Sequence, residues 1–176
     1  MDYRGLTQAD VAEIFALDQR CFPVGIAYSA EEIAAYLRMP GFHQGCSRAG
    51  RLAAVLLSAL GKREGRAGDP GAPGPAKRQA GGVAQPHQAP RQSIGRGHVI
   101  TVDVAPEARR QGIGQELMRN AEAYYRARGA RGMRLEAAVN NAGALAFYAR
   151  LGYHMTRLLP GYYAADLDAL RLELDF

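Results

Sequence analysis

Tryptophan is absent from the 176 residues of this chain, and cysteine occurs only twice, at Cys21 and Cys46. Two cysteines without metal-ligand spacing exclude a disulfide-rich scaffold and predict free, buried thiols with no metal. No run approaches the ~20 apolar residues of a membrane span, and the polar start MDYRGLTQAD is unlike a signal peptide. We therefore expect a cytoplasmic protein without a membrane partner, and 48% apolar residues predict a substantial core.

An excess of positive over negative charge is found in only one stretch of the sequence. Residues 62–97 contain seven Lys/Arg and two Asp/Glu, which is the whole net charge of +5. The remaining residues are neutral overall, which argues against a nucleic-acid partner. The same stretch holds eight of the 21 glycines and five of the nine prolines, a composition that cannot offset the entropy of ordering. We expect residues 62–97 to be a disordered basic loop inserted in a single domain, 1–176; a basic tether for an acidic surface is the alternative.

The rest of the chain is organised around a strand that is followed by a helix. Residues 98–104 alternate before Pro106, which predicts a strand whose odd and even residues face opposite sides. From Gly112 the apolar residues recur at helical spacing up to Gly129. The segment Arg109–Gly114 lies between them. Glycine lets backbone approach a ligand, and a helix N-terminus offers unpaired N–H groups, so this junction can hold a pyrophosphate; a tight turn with two solvated arginines is the plain alternative.

The pattern Arg109-x-x-Gly112-x-Gly114, after a strand and opening an amphipathic helix, resembles the acetyl-CoA-binding motif of the GNAT superfamily of N-acetyltransferases. The resemblance implies that acetyl-CoA is the cosubstrate and that this backbone wraps its pyrophosphate. It also implies that the end of the preceding strand pairs with the pantetheine arm. The cofactor-binding residues implied in these two segments are Val102, Asp103, Val104, Arg109, Arg110, Gln111, Gly112, Ile113 and Gly114.

A second motif lies in the segment LEAAVNNAGALAFYARLGY. Glu136, Asn141 and Tyr148 fall there at the spacings of a RimI-type acetyltransferase, the type that modifies protein N-termini. The resemblance implies that Glu136 is the catalytic base, that Asn141 and Tyr148 contact the cofactor, and that Tyr148 is the catalytic acid. It further implies that the paired Tyr162 and Tyr163 bind the acceptor substrate.

Physical chemistry supports these roles and also supplies plainer ones. Acetyl transfer to an amine of pKa about 8 to 10 needs a group that takes a proton, and a departing thiolate needs a proton donor. Glu136 could instead be an exposed carboxylate paired with Arg134, and Tyr148 could be a core residue of its helix. Asn141 is placed to cap that helix, which is compatible with a cofactor contact. The tyrosine pair could simply pack in a turn.

Periodicity and capping signals predict the element order β-α-α-β-β-β-α-β-α-β-β. This order contains hairpins as well as crossovers, which argues against a doubly wound parallel sheet. It resembles the GNAT fold, which implies an α/β (α+β) domain with a mixed, mostly antiparallel twisted sheet of about seven strands and helices on both faces. The last two strands, 153–159 and 167–175, are expected to be joined by a loop that contains the tyrosine pair.

The leading hypothesis is an acetyl-CoA-dependent N-acetyltransferase that works by direct attack in a ternary complex. The tyrosine pair favours a protein or peptide N-terminal amine as the acceptor. A small-molecule amine (a polyamine, aminoglycoside or metabolite) is the rival acceptor, and a non-catalytic acetyl-CoA sensor would share every cofactor-site feature. A dinucleotide-binding oxidoreductase is disfavoured because Leu117 occupies the place of its third glycine. The sequence is compatible with a monomer or a homodimer.

Overall fold

A computed structural model describes residues 1–23, 26–61, 95–164 and 166–176 of the chain. The predicted basic loop lies outside the described residues over positions 62–94. Residues 95–97 were predicted to end this loop, and the structure describes them. Arg96 forms ion pairs with Glu173 and Asp175. A strand begins at Gly97, which is the last residue of the range predicted for the loop.

Seven strands and four α-helices occur in the described part of the chain, in the predicted order. They are β1 (Asp2–Gly5), α1 (Val11–Cys21), α2 (Ala30–Arg38), β2 (His43–Arg48), β3 (Arg51–Leu60), β4 (Gly97–Val104), α3 (Ile113–Arg126), β5 (Gly132–Ala138), α4 (Ala142–Arg150), β6 (His154–Ala164) and β7 (Leu167–Asp175). The capping box predicted at the start of α2 is present, with the Ser29 hydroxyl accepting from the Glu32 N–H at 3.2 Å.

The seven strands form one mixed sheet in the order β1-β2-β3-β4-β5-β7-β6. Strands β4 and β5 are parallel and pair only at their first residues, Gly97 with Met133 and His98 with Arg134. The other neighbouring strands are antiparallel. Beyond His98 the β5-facing edge of β4 has no strand partner, so its backbone groups are available to a ligand. The predicted fold class is confirmed.

Helices cover both faces of this sheet, as expected. Val104 of β4 faces α3, since a Cβ built on Gly114 would lie 3.3 Å from its Cγ2. The preceding residue, Asp103, faces α1, where it interacts with Asp18. The core fills the space between the sheet and the helices, and its largest fully buried apolar members include Ile14, Ile33, Leu56, Leu57, Ile113, Leu117, Met118, Tyr125, Met133 and Leu135.

A bulge in β4 changes which of its residues share a face. The β3–β4 register slips between Leu57 and Ser58, which leaves Ile100 as an extra residue of β4. An unbroken alternation would place His98 and Val104 on one face. In the structure His98 lies on the α2 face and Val104 on the α3 face, so the predicted alternation through this strand is wrong.

The tyrosine pair lies in a strand and not in a loop. Strand β6 extends to Ala164, so Tyr162 and Tyr163 belong to it, although the β6–β7 register is irregular between Leu159 and Ala164. Their rings pack edge to face, with centroids 5.0 Å apart. Tyrosine fits a half-buried strand surface, which is why this segment continues β6 where a turn was expected.

Both cysteines are free thiols, as predicted, but only Cys46 is buried and Cys21 is half-buried. No helix within the described ranges is long and apolar enough to cross a membrane. Within the same ranges no group of three His, Cys, Asp or Glu side chains is placed to hold a metal ion.

Candidate active site

A cleft of about 1180 Å³ opens where β4 and β5 diverge. It is bordered by the free edge of β4, the end of β5, the N-terminus of α3, α4 and the residues that follow α1. Ordinary small-molecule sites are roughly 300–1,000 Å³, so this cleft suits a long ligand. The predicted site residues that line it are Val102, Val104, Arg109, Arg110, Gly112, Ile113, Gly114, Glu136, Asn141, Tyr148 and Tyr163.

Three predicted site residues lie elsewhere. Asp103 is fully buried on the α1 side of β4. The Gln111 side chain donates to the Glu107 carbonyl at 3.0 Å, which directs it along the loop. Tyr162 borders a separate small cavity next to the cleft. The structure therefore does not bring these side chains into the cleft.

The start of α3 has the geometry of an anion site. Arg110 and Gly112 have φ angles of 59° and 81°, the left-handed values that turn successive backbone N–H groups inward. The first bond within the helix runs from the Glu116 N–H to the Gly112 carbonyl, so the N–H groups before Glu116 have no helical acceptor. With the positive end of a 14-residue helix behind them, these donors fit a phosphate group.

The carbonyl of Val104, at the end of β4, is already fully hydrogen-bonded. It accepts from Arg109 Nε at 3.0 Å and from Cys21 Sγ at 3.4 Å, which occupies both of its lone pairs. These bonds tie the α3 loop and the end of α1 to β4. A ligand arm that pairs with this strand would therefore use backbone groups that precede this carbonyl.

Glu136 of β5 is buried, with a side chain only 3% exposed. Its Oε2 is 2.6 Å from His98 Nε2, and its Oε1 accepts from Arg171 Nε at 3.2 Å. The alternative of an exposed carboxylate is therefore wrong. The tyrosine hydroxyls also approach this residue: Tyr162 donates to Oε2 at 3.5 Å and Tyr163 donates to the backbone carbonyl at 3.1 Å.

The electrostatic surroundings keep Glu136 ionised. Burial raises the pKa of this carboxyl, but the charge and hydrogen bond of His98 and the charges of Arg171 and Arg134 together hold the pKa below its ordinary value. A carboxylate of low pKa is a weak base on its own. Paired with the His98 imidazole through a hydrogen bond, it can fix the orientation of that ring and stabilise positive charge on it.

A small cavity of about 20 Å³ lies beside this carboxylate. Polar side chains from four elements border it, and such a volume is sufficient for one water molecule. Its lining residues are Tyr28, Tyr36, His98, Ile100, Glu136, Tyr162 and Tyr163. Tyr28 also donates to the carbonyl of the bulged Ile100 at 3.4 Å, which links the segment before α2 to β4.

Tyr148 of α4 lines the cleft and is 9% exposed. Its ring packs between those of Phe147 and Tyr153, with centroid distances of 5.1 and 5.9 Å. Burial, and then the charge of Asp103, raise the pKa of this phenol. The residue therefore packs as a core residue, and its protonated phenol also reaches the cleft wall.

Asn141 caps its helix, as predicted, and it also lies in the cleft wall. Its side-chain oxygen accepts from the Ala144 N–H at 3.0 Å and caps α4, and the residue lines the cleft.

Comparison with known proteins relates part of the chain to a family. Residues 79–153, a little under half of the chain, match the model of the acetyltransferase (GNAT) family. The match assigns these residues to a GNAT acetyltransferase domain. The N-alpha-acetyltransferase MAK3 of Arabidopsis thaliana is 40% identical over 81 residues, which are 46% of this chain and 43% of the relative. The chain spans about half the length of the curated relatives that it matches.

Solved structures show the same fold for the described chain. The ribosomal-protein-S18-alanine N-acetyltransferase from Escherichia coli superposes with a TM-score of 0.74 at 18% identity, covering 99% of this chain and 92% of that one. Arabidopsis thaliana NAA60 in complex with acetyl-CoA superposes with a TM-score of 0.74 at 16% identity and 99% coverage of both chains. At these identities the superpositions show a shared fold.

Two partners of Glu136, His98 and Arg171, were not predicted from the sequence. His98 contacts Glu136 only because β4 and β5 pair in parallel at their first residues, and a parallel register cannot be read from one sequence. Arg171 stands directly opposite Glu136 across β5 and β7. Strand β7 alternates apolar and charged residues from Leu170 to Asp175, a pattern that favours an exposed arginine and gives no signal of this contact.

Proposed function

We propose that the chain is an acetyl-CoA-dependent N-acetyltransferase that acts on the α-amino group of a protein or peptide. One observation carries the proposal: an ionised, buried Glu136, hydrogen-bonded to His98, lies in the wall of the same cleft that begins at the N-terminus of α3. A cleft that joins an anion site to a proton-accepting pair suits transfer from a phosphate-bearing donor to an amine.

The residues present fit acetyl-CoA. The N–H groups at the start of α3 and the left-handed turn at Arg110 and Gly112 would hold its pyrophosphate, and the free edge of β4 at Val102 would pair with its amide-bearing arm. Arg109, Arg110 and Arg150 line the cleft and supply positive charge for its phosphates. Acetyl-CoA supplies an activated acetyl thioester.

The chain must move two protons for this reaction. Attack by the amine forms a C–N bond as the C–S bond breaks, so one proton leaves the amine and one is needed by the thiolate. In this proposal Glu136 with His98 accepts the first, directly or through a water in the small cavity. The protonated phenol of Tyr148 supplies the second.

The charges of the cleft support a peptide acceptor. Among the described residues that line it, Glu136 is the single acidic side chain, whereas a polycationic amine would need several convergent carboxylates. Phe22, Pro23 and Ile26 give one end of the cleft an apolar border, and Tyr163 lies beside it. The names of the relatives, N-alpha-acetyltransferases among them, agree with an N-terminal amine.

Two peptides of one sequence test the proposal. One has a free α-amine and blocked lysines, and the other has a blocked N-terminus and free lysines. With acetyl-CoA, only the first should gain an acetyl group by mass, with matching release of CoA. Acetylation of neither, with acetyl-CoA binding retained, would contradict a peptide acceptor and support a small amine or a sensor role.

The base is tested by Glu136→Gln, which keeps the shape of the side chain and removes its charge. Turnover at neutral pH should fall about 10²-fold or more, with little change in acetyl-CoA affinity. Glu31→Gln, on an exposed position of the first turn of α2, is the matched control and should keep wild-type turnover. An unchanged rate in Glu136→Gln removes this residue from the mechanism.

A further inference from the structure

Glu136 has two basic side-chain partners where proton transfer needs only one. His98 contacts Oε2 at 2.6 Å and Arg171 donates to Oε1 at 3.2 Å, so the two oxygens of the carboxylate have separate partners. The Arg171 side chain is 7% exposed and that of Glu136 is 3% exposed. The pair is therefore buried, and water does not screen it.

Packing alone does not account for Arg171. Its side chain is buried in the sheet, and an apolar side chain in its place would avoid the cost of burying a charge. Its Nη2 is buried and has no hydrogen-bond partner in the described part of the chain, which adds a further cost. The guanidinium directs its Nε–H at Glu136, which lies opposite Arg171 in the β5–β7 pairing.

We propose that Arg171 is a positioning residue: it holds Oε1 of Glu136, so that Oε2 is presented to His98 in one fixed orientation. This inference rests on the proposed function, in which Glu136 and His98 take the proton of the amine. A buried carboxylate with one oxygen fixed cannot rotate, and one held orientation favours proton transfer to or from the other oxygen.

Arg171 also keeps this carboxyl ionised, because its charge is one of the effects that lower the pKa of Glu136 against the effect of burial. Removal of Arg171 should therefore raise this pKa and move the acidic limb of the pH–rate profile to higher pH. The other titratable or charged groups that face Glu136 or border its cavity are His98 of β4, Arg134 of β5, Tyr162 and Tyr163 of β6, Tyr36 of α2, and Tyr28 in the segment before α2.

The test compares Arg171→Met, Arg171→Lys and the control Arg96→Met in the full chain. Methionine keeps an unbranched stem without the charge, and Arg96 pairs with Glu173 and Asp175 of β7 without touching Glu136. In Arg171→Met the acidic limb of kcat/KM for the free-amine peptide should move up by about one pH unit, with at least a tenfold lower kcat/KM near neutral pH and an unchanged KM for acetyl-CoA. Arg171→Lys should restore part of the loss, and Arg96→Met should behave as the wild type.

A measurement independent of activity separates this inference from the proposed function. In protein with ¹³C-labelled glutamate side chains, the Glu136 carboxyl resonance reports its titration, and its midpoint should rise in Arg171→Met. If the wild type transfers no acetyl group, the proposed function fails while this titration still tests the hold of Arg171 on Glu136. An unshifted midpoint with an unshifted pH profile would overturn the inference. If Arg171→Met does not fold, Arg171→Lys decides, since displaced charge should still raise the midpoint.

Discussion

Replacing Asp103 by Asn should change how the stability of the fold depends on pH. Asp103 is fully buried on the α1 side of β4, with Thr101 as its hydrogen-bond donor and its Oδ2 without a partner in the described residues. Burial, and then the charge of Asp18, raise the pKa of Asp103 to about 8 from an ordinary 3.8. The native carboxyl is therefore neutral at pH 7, whereas the unfolded chain ionises it.

The sign and the size follow from proton linkage. Between pH 4 and pH 8 the folded state binds one proton more than the unfolded state at this group, so its contribution to the free energy of unfolding falls as pH rises. The two pKa values differ by about 4, which at about 1.4 kcal/mol per pH unit corresponds to roughly 6 kcal/mol in total. Asn has the shape of the neutral carboxyl and does not titrate, so Asp103→Asn removes this loss.

Urea unfolding at pH 5, 6, 7, 8 and 9 and constant ionic strength measures the effect. The free energy of unfolding of Asp103→Asn minus that of the wild type should rise by about 4 kcal/mol from pH 5 to pH 8 and then level off. Asp10→Asn is the control, because the hydrogen bond from Arg4 lowers the pKa of Asp10 to about 2 and both states are then ionised throughout this range. A flat difference for Asp103→Asn would refute the reasoning and show that the native carboxyl is charged.

Two further substitutions test the cleft. Tyr148→Phe should lower turnover about 10²-fold without loss of acetyl-CoA affinity, since it removes the proton donor and keeps the ring. Tyr153→Phe is the matched control, because the Tyr153 hydroxyl bonds Glu122 at 3.4 Å outside the cleft. Equal rates for the two variants would argue against the acid role of Tyr148. Gly112→Ala should lower the free energy of unfolding by about 1–2 kcal/mol in urea titrations, because the residue has a φ of 81° with open space around its Cβ position; an unchanged stability would show that this left-handed turn is not required.

Much of the fold was readable from local patterns, because most boundaries carry a local signal. The Ser29–Glu32 capping box marks the start of α2, and left-handed Gly129 follows α3 within three residues of its end. The β4 bulge was not readable, since the sequence 98–104 alternates without a break and the slip arises from pairing with β3. The extension of β6 through the tyrosine pair was missed for a related reason. Pro160 and Gly161 are typical of a turn, but the Gly161 N–H donates to the Asp168 side chain of β7 and the strand continues.

The site could be predicted only as far as its motifs extend. Local sequence order places the left-handed turn and the helix start within six residues of one another, so the segment Arg109–Gly114 could be proposed as an anion site from its own sequence. The surroundings of Glu136 come from β4, β6 and β7, which are distant in sequence, and only their registers bring His98 and Arg171 to its two oxygens.

Glu136 and Asp103 show why burial alone does not decide the charge of a carboxyl group. Desolvation raises the pKa of both, but three basic side-chain neighbours reverse the effect at Glu136, whereas Asp103 faces another carboxyl group. At neutral pH one is an anion and the other is neutral. An ionised Asp103 would also affect Tyr148. Its negative charge would raise the pKa of this phenol, so that the phenol would release its proton less readily. A neutral Asp103 therefore leaves the phenol better able to donate, and Asp103→Asn should retain acetyl transfer at pH 7 while it changes the pH dependence of stability.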